Sequence, residues 1–162
     1  MEKTDGIAPK SVHVGGNGNY LFNFDRMEKT TSGSGYSRTF GSVVQGERMQ
    51  VSLRLKPRGS GSRMHTHKNE QFNWVVKGTL RVRIGDGDEV LAPAGTLVYV
   101  PAGVPHTMVA TADEDVLFFV CKDMSDQIYG KAVDGTDSGA HYEPGFEPED
   151  ARKFTPATGE RG

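Results

Sequence analysis

His65-Thr66-His67-Lys68-Asn69-Glu70-Gln71-Phe72-Asn73 is the stretch on which the reading of this chain turns. Side chains of a strand alternate between its two faces, so in an extended segment residues 65, 67, 71 and 73 point the same way. Two imidazoles separated by one residue then converge on one point, and residue 71 adds an oxygen or nitrogen donor beside them. First-row transition ions take neutral imidazole readily, so the pattern reads as part of a metal site. A further imidazole comes from Gly95-x5-Pro101-x-Gly103-x2-His106. Proline fixes φ and glycine admits positive φ, which suits a tight turn aiming His106 back toward the pair.

Outward from this motif, the period-two signal extends over residues 36 to 123. It is clearest in Met49-Gln50-Val51-Ser52-Leu53-Arg54-Leu55-Lys56, where apolar and polar residues alternate without a break. Further strands read as Gln71 to Lys77, Thr79 to Ile84, Glu89 to Leu91, Leu97 to Val100, His106 to Ala110 and Val116 to Cys121, each bounded by Gly, Pro or Asp. Many short strands, with 21 Gly and 8 Pro in 162 residues, predict an all-β sandwich or barrel. Residues 1 to 35 read as an N-terminal arm with room for one strand, ending in the flexible composition Thr31-Ser32-Gly33-Ser34-Gly35. Residues 124 to 162 read as a C-terminal tail without a core of its own. A disordered end, a lid over a pocket and a contact with a neighbouring subunit all suit that composition. Glu149 to Phe154 is the only stretch there that suits a helical turn.

Composition narrows the partners. Lys plus Arg number 19 against 21 Asp plus Glu, and a net charge of −2 gives no electrostatic footprint for nucleic acid or an anionic membrane. No segment approaches the roughly 20 consecutive apolar residues of a membrane helix, and the N-terminus lacks a signal-peptide pattern. The expectation is a cytoplasmic protein acting on a small molecule. The single cysteine, Cys121, ends an apolar run and reads as a small hydrophobe in a strand.

Taken together, the two motifs resemble those of the cupin superfamily. His65, His67, Gln71 and Gly78 meet the first, His-x-His-x3-(Glu or Gln)-x6-Gly, and Gly95, Pro101, Gly103 and His106 meet the second. The resemblance covers about a third of the chain. It implies a double-stranded β-helix, or jelly-roll barrel, over residues 36 to 123, with one divalent transition metal ion held by His65, His67, Gln71 and His106. Iron, manganese, nickel, zinc and copper all suit such a donor set. A homodimer is implied as well, consistent with Phe72 and Trp74 on the strand face opposite Gln71.

The chain departs from the common pattern twice. Ala110 stands where the second motif usually ends in Asn, and Gln71 stands where metal-binding cupins usually have Glu. Glu70 is one position away, but strand parity and the seven-residue step to Gly78 select Gln71. Four neutral ligands leave a divalent ion its full charge. One unit charge at about 4 Å is worth roughly 4 kcal/mol at an effective dielectric near 20, so an anionic substrate is favoured. The same argument disfavours an oxidised metal state and ranks lyase or isomerase chemistry above redox chemistry. The alternatives are a dioxygenase of a small enolic or phenolic substrate, and a non-catalytic module that binds a metal or metabolite.

Parity also places Arg63 and Asn73 at the pocket mouth and Met108 beside His106, as candidate substrate-binding residues. Arg63 suits a carboxylate through two parallel hydrogen bonds, and equally suits a rim position. Tyr99, Glu70 and a metal-bound hydroxide are the candidate bases. His13 and His141 lie outside the motifs and read as packing residues. Arg81 and Arg83 read as a solvated strand face, and Gly85-Asp86-Gly87-Asp88 as a hairpin turn.

Overall fold

The computed structural model describes residues 12–29, 35–126, 128–136 and 138–148. The helical turn anticipated at 149–154 and most of the Gly/Ser loop at 31–35 lie outside the described residues. The strands are β1 (Val12–Val14), β2 (Phe40–Gln45), β3 (Met49–Lys56), β4 (Ser60–Gly61), β5 (His65–Thr66), β6 (Gln71–Lys77), β7 (Thr79–Ile84), β8 (Val90–Pro93), β9 (Leu97–Val100), β10 (His106–Ala110), β11 (Val116–Asp123), β12 (Lys131–Ala132) and β13 (His141–Tyr142). A 3₁₀ turn at Phe24–Arg26 is capped by the Asn23 side chain. The fold is all-β, as the sequence predicts, and β3, β6, β7, β9 and β10 carry the expected boundaries.

Two sheets face each other. One runs β1-β2-β3-β11-β6-β9; the other runs β12-β5-β10-β4-β13, with β7 paired to β10 and β8 to β7. The β6–β7 hairpin turns at Gly78, whose φ of 81° suits glycine and whose missing Cβ leaves room for Asp115 and Val116. Between the sheets lies an apolar cluster that includes Val75, Leu80, Val82, Val98, Val100, Ala110, Val116 and Phe118. This core occupies only part of the interior. Along β6 the inward side changes from Val75 to Asn73 and Gln71, and along β11 from Val116, Phe118 and Val120 to Lys122.

Strand β3 inverts the usual sense of an alternating strand. Its polar residues Gln50, Ser52 and Lys56 are buried, while the apolar Met49 on the other side is exposed. The registers Phe119 to Trp74, Cys121 to Phe72 and Phe72 to Tyr99 place one apolar row across the outside of this sheet. Phe72, Trp74, Val76, Leu97 and Tyr99 are exposed there.

Parts of the arm and tail join the sheets. β1 pairs in parallel with β2, β12 adds to β5, and β13 adds to β4. Gly130 enters β12 so close to Thr66 that a Cβ would overlap the Thr66 carbonyl. Ala110, at the position where Asn is usual, is fully buried, and its carbonyl accepts from the Gly59 amide at 3.1 Å.

Candidate metal and substrate site

His65, His67 and His106 come together at the polar end of the interior. Their nearest ring nitrogens all lie within 4.8 Å of one another, and all three residues are buried. The assembly differs from the one-strand picture drawn from parity. β5 ends at Thr66 and β6 begins at Gln71, in the other sheet, so residues 67 to 70 carry the chain across the interior. His65 and His106 are direct cross-strand partners in one sheet, and Gln71 approaches from the opposite one. The two motifs are tied by the Gly103 amide, which donates to the His67 carbonyl at 2.8 Å; Gly103 has φ of 73° in the turn leading to His106.

Each imidazole is oriented in the same manner. Nδ1 of His65 lies 2.8 Å from the Arg63 carbonyl, Nδ1 of His67 lies 3.0 Å from the Asn69 carbonyl, and Nδ1 of His106 lies 2.9 Å from the Val104 carbonyl. A carbonyl only accepts, so each Nδ1 carries the proton, and each neutral ring keeps its Nε2 lone pair. Metal-binding histidines are commonly fixed in this tautomer by such backbone partners. Nε2 of His106 is buried with no hydrogen-bond partner, an orphaned acceptor that a ligated cation would satisfy.

Burial, reinforced by Lys122 and His106, pushes His67 down to about 3. Burial likewise takes His106 down to about 4 and His65 well below the ordinary imidazole range. The rings are therefore neutral near pH 7, the form in which imidazole ligates. Tyr36 stacks on His65 at 4.3 Å between ring centroids and 18° between planes, and its hydroxyl accepts from the Gly130 amide.

Gln71 lines the cavity; Glu70 is exposed and hydrogen-bonds to Tyr99, raising that phenol. The Gln71 amide nitrogen donates to Asn73 Oδ1 at 2.9 Å, which leaves its oxygen as the atom available to a cation. Asn73 Nδ2 donates in turn to Met108 Sδ at 3.0 Å, so these three side chains form a chain along the wall. Tyr99 and Glu70, two of the anticipated bases, do not line the cavity.

Arg63 is not a cavity residue either. Its guanidinium donates to the carbonyls of Gly35, Thr136 and Gly139 and to the side chains of Asp134 and Thr136. Where sequence reasoning offered it to a substrate carboxylate, the structure gives that fork to Asp134 and the loop after β12.

Sequence reasoning missed the cations. Arg54, Lys56 and Lys122 line the same cavity as the imidazoles, together with Ile128 and Tyr129 from the tail. Burial, and then the nearby Arg54 guanidinium, lowers both Lys56 and Lys122 to about 7. Among the described residues, none lining this cavity is acidic. The cavity volume is about 70 Å³.

The family model described as "Cupin domain" matches residues 51–121, a span that holds all four proposed ligands. Residues 51–121 form a cupin domain. Among solved cupin-fold structures, the polyketide cyclase RemF from Streptomyces resistomycificus is 16% identical with a TM-score of 0.61, over 70% of this chain and 84% of that one. An RmlC-like cupin from Shewanella frigidimarina is 20% identical with a TM-score of 0.55, over 64% and 89%. A cupin from Methanocaldococcus jannaschii with a double-stranded β-helix fold is 23% identical with a TM-score of 0.52, over 67% and 93%. Likeness at this level establishes the fold. A DMSP lyase structure is matched over only 48% of its own length, so the chain spans about half of that protein. No curated protein sequence matches the chain.

Proposed function

We propose that this cupin is a metal-dependent enzyme in which His65, His67, His106 and Gln71 hold one divalent ion, with lyase or isomerase chemistry on an oxygen-bearing small molecule. The observation that carries this reading is the shared tautomer: three Nδ1–H groups bound to backbone carbonyls leave three Nε2 lone pairs, with that of His106 buried and unpartnered. When bound, the ion supplies Lewis-acid polarisation of a substrate oxygen. The chain supplies the rest. Asn73 and Met108 shape the wall next to Gln71, Tyr36 holds the His65 ring by stacking, and Ile128 and Tyr129 exclude water on the tail side. The same reading makes the protein a homodimer through the apolar outer face that bears Phe72 and Trp74.

Metal content tests the site. The purified protein should carry about one ion per chain, and His106→Ala should lose most of it while keeping its fold, because three protein ligands bind far more weakly than four. Equal metal content in the two proteins would sink the site. Oxygen uptake during turnover of carboxylates, enediols and phenolic ketones would move the assignment to a dioxygenase.

A further inference from the structure

We propose that Lys56, Arg54 and Lys122 form a carboxylate-binding wall facing the imidazole cluster, so that the substrate is a small carboxylate whose second oxygen meets the three histidines. The inference deepens the enzyme reading above and rests on it for the second oxygen; the wall itself stands on separate observations.

Lys56 and Lys122 are 3% and 6% exposed, and neither forms a salt bridge among the described residues. Among the described residues Lys56 donates to hydroxyls alone, Ser37 Oγ at 3.4 Å and Thr39 Oγ1 at 3.3 Å, and it lies 5.9 Å from the Phe118 ring centre. Lys122 donates to the Ile128 carbonyl at 2.8 Å. Asp123 and Asp126 lend Lys122 some attraction from outside the cavity lining.

An ammonium taken out of water is costly unless a counter-charge and further hydrogen bonds replace its hydration. Here two such groups, together with the Arg54 guanidinium, face one small cavity that no carboxylate lines among the described residues. Methionine would fill the same volume without that cost, and the apolar half of the same interior shows that this sheet tolerates such residues. Retention of the two lysines is explained when an anion completes them. Lys56 and Lys122 line the same cavity as His65, His67 and His106, so a carboxylate bound there lies within reach of the imidazole cluster.

Calorimetry on the full chain, stripped of metal by a chelator, tests the wall with malonate and its uncharged isostere malonamide. The measurement is made at about pH 6, below the value of about 7 to which burial lowers both amines. Malonate should bind at least about tenfold more tightly than malonamide, and Lys56→Met and Lys122→Met should each weaken malonate about tenfold or more. Equal binding of the two probes, or malonate binding unchanged in both variants, overturns the proposal. Should a variant fail to fold, the wild-type comparison decides alone. Failure of the metal site would show in the metal content of His106→Ala, which this metal-free measurement does not involve.

Discussion

At the scale of single residues, the buried lysines govern how stability responds to pH. Both have folded values near 7 against an ordinary 10.5, so between those limits the unfolded chain holds protons that the folded chain has released. Stability therefore rises with pH across that window, by up to about 1.4 kcal/mol per pH unit for each lysine. Below about 7 the full cost of the buried charge is present. Urea unfolding at about pH 6, 7.5 and 9 should show this rise in wild type and a shallower one in Lys56→Met, whose stability at pH 6 should exceed that of wild type. A flat wild-type profile would refute the account. These lysines were hidden in the sequence for a physical reason. In β3 alternation reveals two faces without saying which is inside, and the polar one is. In β11 the run Val116-Leu117-Phe118-Phe119-Val120-Cys121 is apolar on both faces, so nothing marks Lys122 as inward.

At the scale of elements, the first motif follows a path that strand parity does not describe. Parity along one strand selected Gln71 over Glu70, and the structure brings Gln71 to the cavity, yet the chain leaves one sheet after Thr66 and enters the other at Gln71. Asn69 makes that crossing rigid. It is fully buried, its side chain donates to the carbonyls of Asp123 and Asp126, and its own carbonyl holds His67. Long-range ties of this kind leave no periodic trace in sequence, and neither do two-residue strands such as β4, β5, β12 and β13. Arg63 provides the corresponding tie for the tail. Its fork binds the segment from Asp134 to Gly139, between β12 and β13, and Arg63→Met removes all of those bonds while keeping the stem. Limited proteolysis of that variant should cut within 131–148 several-fold faster than in wild type, with the strands of 36–123 still protected. Equal cleavage would show that β12 and β13 hold the tail without Arg63.

At the scale of the whole molecule, the strand pattern and the two motifs made the cupin fold legible before any coordinates, because period two and turn residues are local signals. The distribution of polarity was not legible, since it depends on which sheet face meets which. The result is an interior with a polar end and an exterior with an apolar face, where Trp74 is 45% exposed and Leu97 55%. A row of that kind on a soluble surface marks association. The homodimer proposed above uses this row, so wild type should sediment as a dimer and Trp74→Glu as a monomer at micromolar concentration; a variant that still sediments as a dimer would move the interface elsewhere. The position of the imidazoles gives one consequence of another sort. His65 and His106 belong to one sheet, Gln71 to the other, and His67 to the segment that joins them. An ion held by all four of them would act as a rivet through both layers, fastening the seam at the polar end of the interior. Its loss would be felt as a loosening of the two sheets against each other, and occupancy is then part of the mechanics of the barrel as well as its chemistry.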